Sequence, residues 1–488
     1  MSRELRADFS QGFLLPPSLE DWVGPEHPAR FIRSFVEALD LEALGVEWNE
    51  AAPGPGRPTY SAELLLMVWL YGYFMGQRST RKLEAACGEH MGLIWLSGMH
   101  APDHNTLWRF FARNRQALRN LFSQSVQVAV KSHMVGMVVH ALDGTKIGAQ
   151  AATRSRLTQA QLEALLDGLD EQVAAWEQAI EETAAPDEPG TRLPEELQDE
   201  ERLRQKVRAA LAELEAEEKM ERVHPDDPQA RVMKCSDTAT RRLAYNSQAV
   251  VDAACGILVA CDVSNRAADQ GQLTPMLDAV EEQLGACADL TLADAGYATG
   301  QALADADTAQ RDVLVNLPSR ISGDPTNPYH ASHFTIDPET DTVTCPLGEE
   351  LAYKHTRLHR GKGQRLRVYR CQNKSCPVRE QCTKERKGRS IEIGPYHAAI
   401  ARQKQRHQDS AARQHLAQRA GLIERVFGTI KQTYGFRRYT RHGLDNVKTE
   451  WALICTTYNL HKLYSRWKAT RTPPRARTER LNLSLANS

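Results

Sequence analysis

Three acidic residues stand where a carboxylate can do chemistry. Asp143 ends the apolar run VVHAL and precedes Gly144. Asp294 ends LTLA and precedes Ala295-Gly296-Tyr297. Glu424 sits alone in the basic stretch RAGLIERVFGTIKQTYGFRRY, Arg419 to Tyr439. A carboxylate at the C-terminal end of a central strand faces the crevice of an α/β sheet, where ligands bind. Asp-Gly is also above all a turn signal, and a carboxylate among cations is ordinarily an ion-pair partner. Taken together, the three suit the cutting of a phosphodiester. That reaction needs an activated water or 3′-hydroxyl and a stabilised leaving oxygen, which two hard divalent ions roughly 4 Å apart supply. Mg²⁺ takes carboxylate oxygens and keeps positions open for substrate. In the Glu424 stretch, Leu422, Ile423, Val426, Phe427 and Ile430 recur at helical spacing. Glu424 and Lys431, seven apart, are then expected on one helix face. Lys431, Arg425 and Arg419 are candidates for DNA contact, with ordinary surface charge as the alternative.

These residues need a sheet and helices to hold them. MVVHALDGTKIGAQ reads as a buried strand, a turn at Asp143-Gly144 and a second short strand. Strands recur at Arg241 to Ser264, in ADLTLADAGYA and in DVLVNLP, with helices at Gly271–Leu284 and Thr299–Ala309 between them. This is mixed α/β with a small central sheet. Ahead of it, Tyr60 to about His133 is helical in pattern, with Ser61 and Ser79 or Thr80 as N-caps. Asn105 to Arg115 mixes Trp108, Phe110 and Phe111 with Arg109, Arg113 and Arg115. That suits a recognition helix, or equally an amphipathic helix in a plain bundle. Leu157 to Glu221 reads as an antiparallel helical hairpin broken at Pro186–Pro194. The breaker run Ala51 to Pro58 closes a mixed N-terminal stretch.

A net charge of −1 speaks against a nucleic-acid binder until its distribution is read. Gln159 to Glu221 holds 19 acidic and 6 basic residues, whereas Leu351 to His442 holds 23 basic and 5 acidic. Local fields of this kind steer a polyanion. The N-terminus has no apolar signal core, and the run Leu64 to Met75 is too short to span a bilayer. We therefore expect a cytoplasmic protein without a membrane segment, whose ten cysteines are buried thiols or metal ligands. Cys345, Cys371, Cys376 and Cys382 lie in a basic, turn-rich stretch and suit a tetrahedral Zn²⁺ site. His355 and His359 are substitute ligands, and unpaired cysteines in a loop-rich insertion are the alternative.

ALDGTKI, LADAGYAT and IERVFGTIKQTYGFRRY resemble the three motifs of the DDE insertion-sequence transposases. YNSQ (Tyr245 to Gln248) and EWALICTTYNLHKL (Glu450 to Leu463) also resemble family sequence. The resemblance runs from about Phe13 to Leu463 and rests on the motifs jointly. It implies an RNase H-like catalytic core, a mixed sheet with flanking helices, in which Asp143, Asp294 and Glu424 hold two Mg²⁺ or Mn²⁺ ions. It implies double-stranded DNA as partner, both terminal inverted repeats and target, and a homodimer or larger synaptic complex in a bacterial, nucleoid-associated setting. A cysteine-bearing stretch before the glutamate helix also fits, so one structural Zn²⁺ is expected. The chain departs from the signature of several branches: Ala420 stands where an Arg is expected, Arg419 is one residue off, and no Tyr precedes it.

The expected organisation is an all-helical DNA-binding domain at 1–134 and a catalytic core at 135–463. Within the core we expect an acidic helical hairpin insertion at 154–230 and a basic, cysteine-bearing, zinc-ribbon-like insertion at 322–395. A basic tail follows at 464–488. The expected activity is Mg²⁺-dependent DNA cleavage and strand transfer. A nuclease without strand transfer and a catalytically retired DNA-binding protein are the alternatives, and the intact acidic triad counts against the second.

Overall fold

A computed structural model describes residues 18–48, 59–183, 195–235, 240–317, 327–337, 340–359 and 363–471. The breaker run Ala51 to Pro58, the Pro186–Pro194 loop and residues 472–488 of the expected tail lie outside them. The chain divides into two compact units, Met1–Ala129 with Ala452–Ser488, and Val130–Trp451. Residues 452–463, expected in the core, thus fall in the first unit.

The first unit is helical: α1 (Pro28–Glu37), α2 (Ala62–Phe74), α3 (Thr80–Glu89), α4 (Met91–Leu96), α5 (His104–Arg113) and most of α6 (Arg115–Lys131). Ser61 caps α2 by accepting the Leu64 amide, satisfying one of the orphan donors of a first turn. The apolar run of α2 is a buried helix, with Leu65, Leu66, Val68, Trp69, Leu70, Tyr71 and Tyr73 inside. The end of the long helix Leu444–Arg471 completes this bundle. Asn459 Nδ2 donates to Ser125 Oγ at 3.2 Å, and Tyr464 Oη donates to the Glu26 carbonyl at 2.8 Å.

The second unit is built on a six-stranded mixed sheet of β1 (Val139–Gly148), β2 (Arg231–Lys234), β3 (Arg241–Asp252), β4 (Leu258–Ser264), β5 (Leu290–Ala293) and β6 (Val313–Val315). Its order is β2-β3-β1-β5-β6, and β4 shares an edge of β3 with β2. β3 is antiparallel to β1, while β5 and β6 run parallel to β1. Helices α9 (Leu273–Leu284) and α10 (Gly300–Thr308) make the crossovers on this parallel side. Between β1 and β2, α7 (Gln159–Thr183) and α8 (Glu195–Ala216) pack through Leu162, Leu169, Val207, Ala210 and Leu214. Leu157 and Val223 exchange backbone hydrogen bonds at the base of this hairpin. The last helix against the sheet is Ser410–Gly428, which we call the glutamate helix.

Two sequence expectations fail here. Asp143-Gly144 is not a turn, because β1 runs straight through it, paired residue by residue with β3. The glycine serves a close approach instead: a Cβ there would lie 2.4 Å from Gln248 Nε2 and 2.6 Å from Asp269 Oδ1. The cysteine-bearing stretch, read as basic and turn-rich, forms a five-stranded antiparallel sheet. Its strands are β7 (Thr335–Asp337), β8 (Thr342–Thr344), β9 (Glu350–His359), β10 (Gln364–Arg370) and β11 (Ser390–Ile393). Phe334, Val343, Leu351, Tyr369, Ile391 and Ile393 give it an apolar core of its own.

Candidate active site

The register of the central sheet sets two of the three acids side by side. Ala141 pairs with Leu292 across the parallel β1–β5 ladder. Asp143 and Asp294 each lie two residues further along, so they stand level and on one face. On that face Val139, Leu290 and Leu292 pack against Ala412 and Leu416 of the glutamate helix. The helix buries Ala412, Leu416, Arg419, Ile423 and Val426, a stripe at three- and four-residue steps that lies on the sheet. Arg419 is the polar member of the stripe. Its Nη1 donates to Asp143 Oδ2 at 2.9 Å, with both side chains largely buried. Asp143 Oδ1 accepts the Gly144 amide at 2.7 Å, and Asp294 Oδ1 accepts the Gly296 amide at 2.7 Å.

Glu424 follows Ile423, off the buried stripe, and is exposed. It lies on the helix that meets Asp143, and among the described residues it forms no group with the two aspartates arranged to hold a metal ion. The helix switches to a π turn over Thr429–Thr433, which shifts its phase. Lys431 therefore does not share the face of Glu424. It is buried, and its Nζ donates to the Lys146 carbonyl at 3.3 Å. Arg425 is exposed and turns its Nε back to the Gly421 carbonyl at 2.7 Å.

A fourth acid, which sequence reasoning misses, lies close to Asp294. Asp269, in the turn between β4 and α9, takes three donors on Oδ1: Lys146 Nζ at 3.0 Å, Asn246 Nδ2 at 2.8 Å and Gln248 Nε2 at 2.9 Å. Gln248 Oε1 in turn accepts the Tyr297 hydroxyl. Asn246 Oδ1 is buried and carries no hydrogen bond, an acceptor of the kind that water or a hydrated cation satisfies. The signals were Asn246 and Gln248 within YNSQ, and Lys146 three residues past Asp143. Nothing around Asp269 itself distinguishes it.

Burial pushes the Asp143 carboxyl up from its ordinary value, the Arg419 guanidinium pulls it back, and the nearby Asp294 charge adds to the rise. Burial also holds the Tyr297 hydroxyl far above its ordinary range, reinforced by Asp269, Asp143 and Asp294. The phenol therefore stays protonated as a donor. These are hard oxygen donors, the chemistry that Mg²⁺ or Mn²⁺ selects. Among the described residues, however, no group of three or more His, Cys, Asp or Glu side chains is arranged to hold a metal ion.

The same holds for the cysteines. Cys345, Cys371 and Cys382 pack against the apolar core of the second sheet, and burial raises the Cys382 thiol. Cys371, Cys376 and Cys345 add to that rise, so the four cysteines lie near one another, but among the described residues they form no group arranged to hold a metal ion. His355 and His359 lie along β9 and join no such group.

In the helical unit, Asp103 caps α5 by accepting the Thr106 amide at 2.8 Å. Arg109, Arg113 and Trp108 are exposed on α5, while Leu107, Phe110 and Phe111 are buried. None of the helices among the described residues is long and apolar enough to cross a membrane.

Two families match the chain. The Transposase DDE domain matches residues 344–464, and the Transposase domain (DUF772) matches residues 17–113. The first covers Glu424 and the four cysteines but not β7; neither reaches Asp143 or Asp294. No curated protein matches the chain.

Proposed function

The chain belongs to the DDE insertion-sequence transposases, and from that premise we propose that it binds the terminal inverted repeats of its element, cuts the DNA and joins the ends to a target. The placement of Asp143 on β1 and of Asp294 one residue past its parallel neighbour β5, each two residues beyond the Ala141–Leu292 pair, is the observation that carries this reading. The strand order supports an RNase H-like core. Three antiparallel strands (β4, β3, β1) are followed by two parallel to the first (β5, β6), with a helix laid over the sheet.

We assign Asp143 and Asp294 as the pair that would hold the ions, with Glu424, on the helix that meets Asp143, as the third carboxylate. Divalent ions held by these carboxylates would supply an activated oxygen nucleophile and a neutralised leaving oxygen. The rest falls to the chain itself. Arg419 holds Asp143 in place and offsets its charge. Lys146 does the same for Asp269, which keeps Asn246 and Gln248 turned toward the site. Tyr297, protonated and hydrogen-bonded to Gln248, fixes that amide. On α5, Arg109 and Arg113 are candidates for the phosphate backbone. The domain division into a helical DNA-binding part and a catalytic core, a cytoplasmic setting and a paired-end assembly belong to the same proposal.

The test is cleavage of a labelled fragment carrying the element's ends, with Mg²⁺. Asp143→Asn, Asp294→Asn and Glu424→Gln should each lower cutting by at least about a thousandfold, the scale of lost transition-state charge stabilisation, while duplex affinity is kept. Variants that still cut would end the assignment. A wild type that cuts but never joins would favour a nuclease.

A further inference from the structure

A second cationic site lies on the small sheet, at residues the active-site reading does not use. An open cleft of about 770 Å³ is ringed by Lys354, Arg370, Lys374, Arg379, Arg386 and Lys387. The walls are built rather than loose. Arg379 donates Nη1 to the Asn373 carbonyl at 3.1 Å and Nη2 to the Arg386 carbonyl at 3.0 Å, stapling the loop between β10 and β11. Arg370 Nε donates to Ser390 Oγ at 3.0 Å. Gly388, at φ +92°, closes the loop so tightly that a Cβ would meet the Cys371 carbonyl oxygen at 2.4 Å.

The charges are what point to a ligand. On the adjoining strands Arg357 is matched by Glu392, and Arg367 by Asp341. None of the six cleft cations forms an ion pair among the described residues. Six like charges gathered without counter-ions repel one another, and a rigid wall holds them together at a cost in stability. A polyanion removes that cost by delivering several phosphates at once, which a single small anion in so open a cleft does not.

We propose that this cleft seats the phosphate backbone of duplex DNA, outside the Asp143–Asp294 site and without reading sequence. The proposal rests on the chain's handling DNA, as proposed above. Each neutralised phosphate releases condensed counter-ions, so the six cations together contribute about 5 to the slope of log K against log salt, at about 0.9 per contact.

The experiment is fluorescence anisotropy of the full chain with a labelled duplex of random sequence, from 50 to 300 mM salt. The triple variant Lys374→Gln, Arg386→Gln, Lys387→Gln changes only exposed side chains. It should lower the slope by about 2.7 and weaken binding by at least about tenfold at low salt, equally for random and element-end duplexes. A wild-type slope in the triple variant overturns the cleft while leaving the catalytic reading intact. An equal fall for Arg202→Gln, Lys206→Gln, Arg208→Gln on α8 also overturns it, because net charge alone would then be measured. A wild type that binds no duplex at all overturns both readings.

Discussion

Substituting alanine at Gly144 tests whether the polar network beneath the two aspartates is as tight as its distances imply. The new methyl would lie 2.4 Å from Gln248 Nε2, 2.6 Å from Asp269 Oδ1 and 2.8 Å from Asn246 Oδ1. All three are far inside the roughly 3.5 Å at which non-bonded atoms are comfortable. Gly144 sits mid-strand opposite Gln248, so the backbone exacts no penalty, and alanine alone would favour a strand by about 0.5 kcal/mol. The cost arises because Asp269 must withdraw by about 1 Å, which breaks its bonds from Asn246 and Gln248. Hydrogen bonds to a charged group contribute about 1.5–3 kcal/mol each. Allowing for partial recovery through Lys146 and water, Gly144→Ala should destabilise the core by about 2–4 kcal/mol. Hydrogen exchange of peptides spanning β1 and β3 reads this locally. The decisive comparison is a double-mutant cycle with Asp269→Ala. With the obstructing carboxylate gone, the alanine should cost less, leaving a coupling of about 1–3 kcal/mol. A Gly144→Ala protein within about 0.5 kcal/mol of wild type, or additive costs in the cycle, would refute the reasoning.

Two further outcomes follow from buried polar groups. The carboxylate of Glu450, fully buried, accepts the Thr440 amide at 2.9 Å, the Thr440 hydroxyl at 2.9 Å and the Arg441 amide at 3.1 Å. Glu450→Gln sets an amide donor against these donors and should cost about 2–4 kcal/mol in urea denaturation; a near-neutral result would mean the three bonds carry little. In the helical unit, burial lowers His461 from 6.5 to about 4, opposed by its bond to the Phe74 carbonyl. The depressed folded value means that the unfolded chain takes up the proton first as pH falls. No cost exists above pH 6.5, and about 2 kcal/mol of stability is lost by pH 5. His461→Gln should flatten that part of the pH–stability curve, and an unchanged slope between pH 7 and 5 would exclude His461 as its source.

What could be read from the sequence was whatever leaves a periodic trace. The apolar runs before Asp143 and Asp294 are strands, and period-two alternation carries both acids onto the face that Leu290 and Leu292 fix against the glutamate helix. Ser61 caps α2 as its side chain implies. The failures share one cause, a meaning that depends on distant partners. Asp143-Gly144 carries a turn signal, but its glycine is required by Gln248 and Asp269, which approach from β3 and the turn after β4. In β9, Tyr353 to Leu358 are exposed on both faces, so no alternation marks the strand. Lys431 left the face of Glu424 because one π turn intervenes, and a seven-residue spacing does not report that.

The charge arrangement explains how so many acids can gather at one place in a folded protein. The Asp294 charge raises the proton affinity of Asp143, and Asp269 adds a third charge close to Asp294. Each is offset by a group from a different element: Arg419 from the glutamate helix for Asp143, Lys146 from β1 for Asp269, and the Gly296 amide for Asp294. An arginine in direct contact with a carboxylate does electrostatically what a bound cation does, without fixed coordination geometry. Arg419 can therefore hold the site together in the free protein, and it is the group that would have to yield if an ion were to take the Oδ2 lone pairs. On this argument the displaced arginine is the residue one position off the family signature, and its role follows from where the helix stripe places it rather than from its number in the motif.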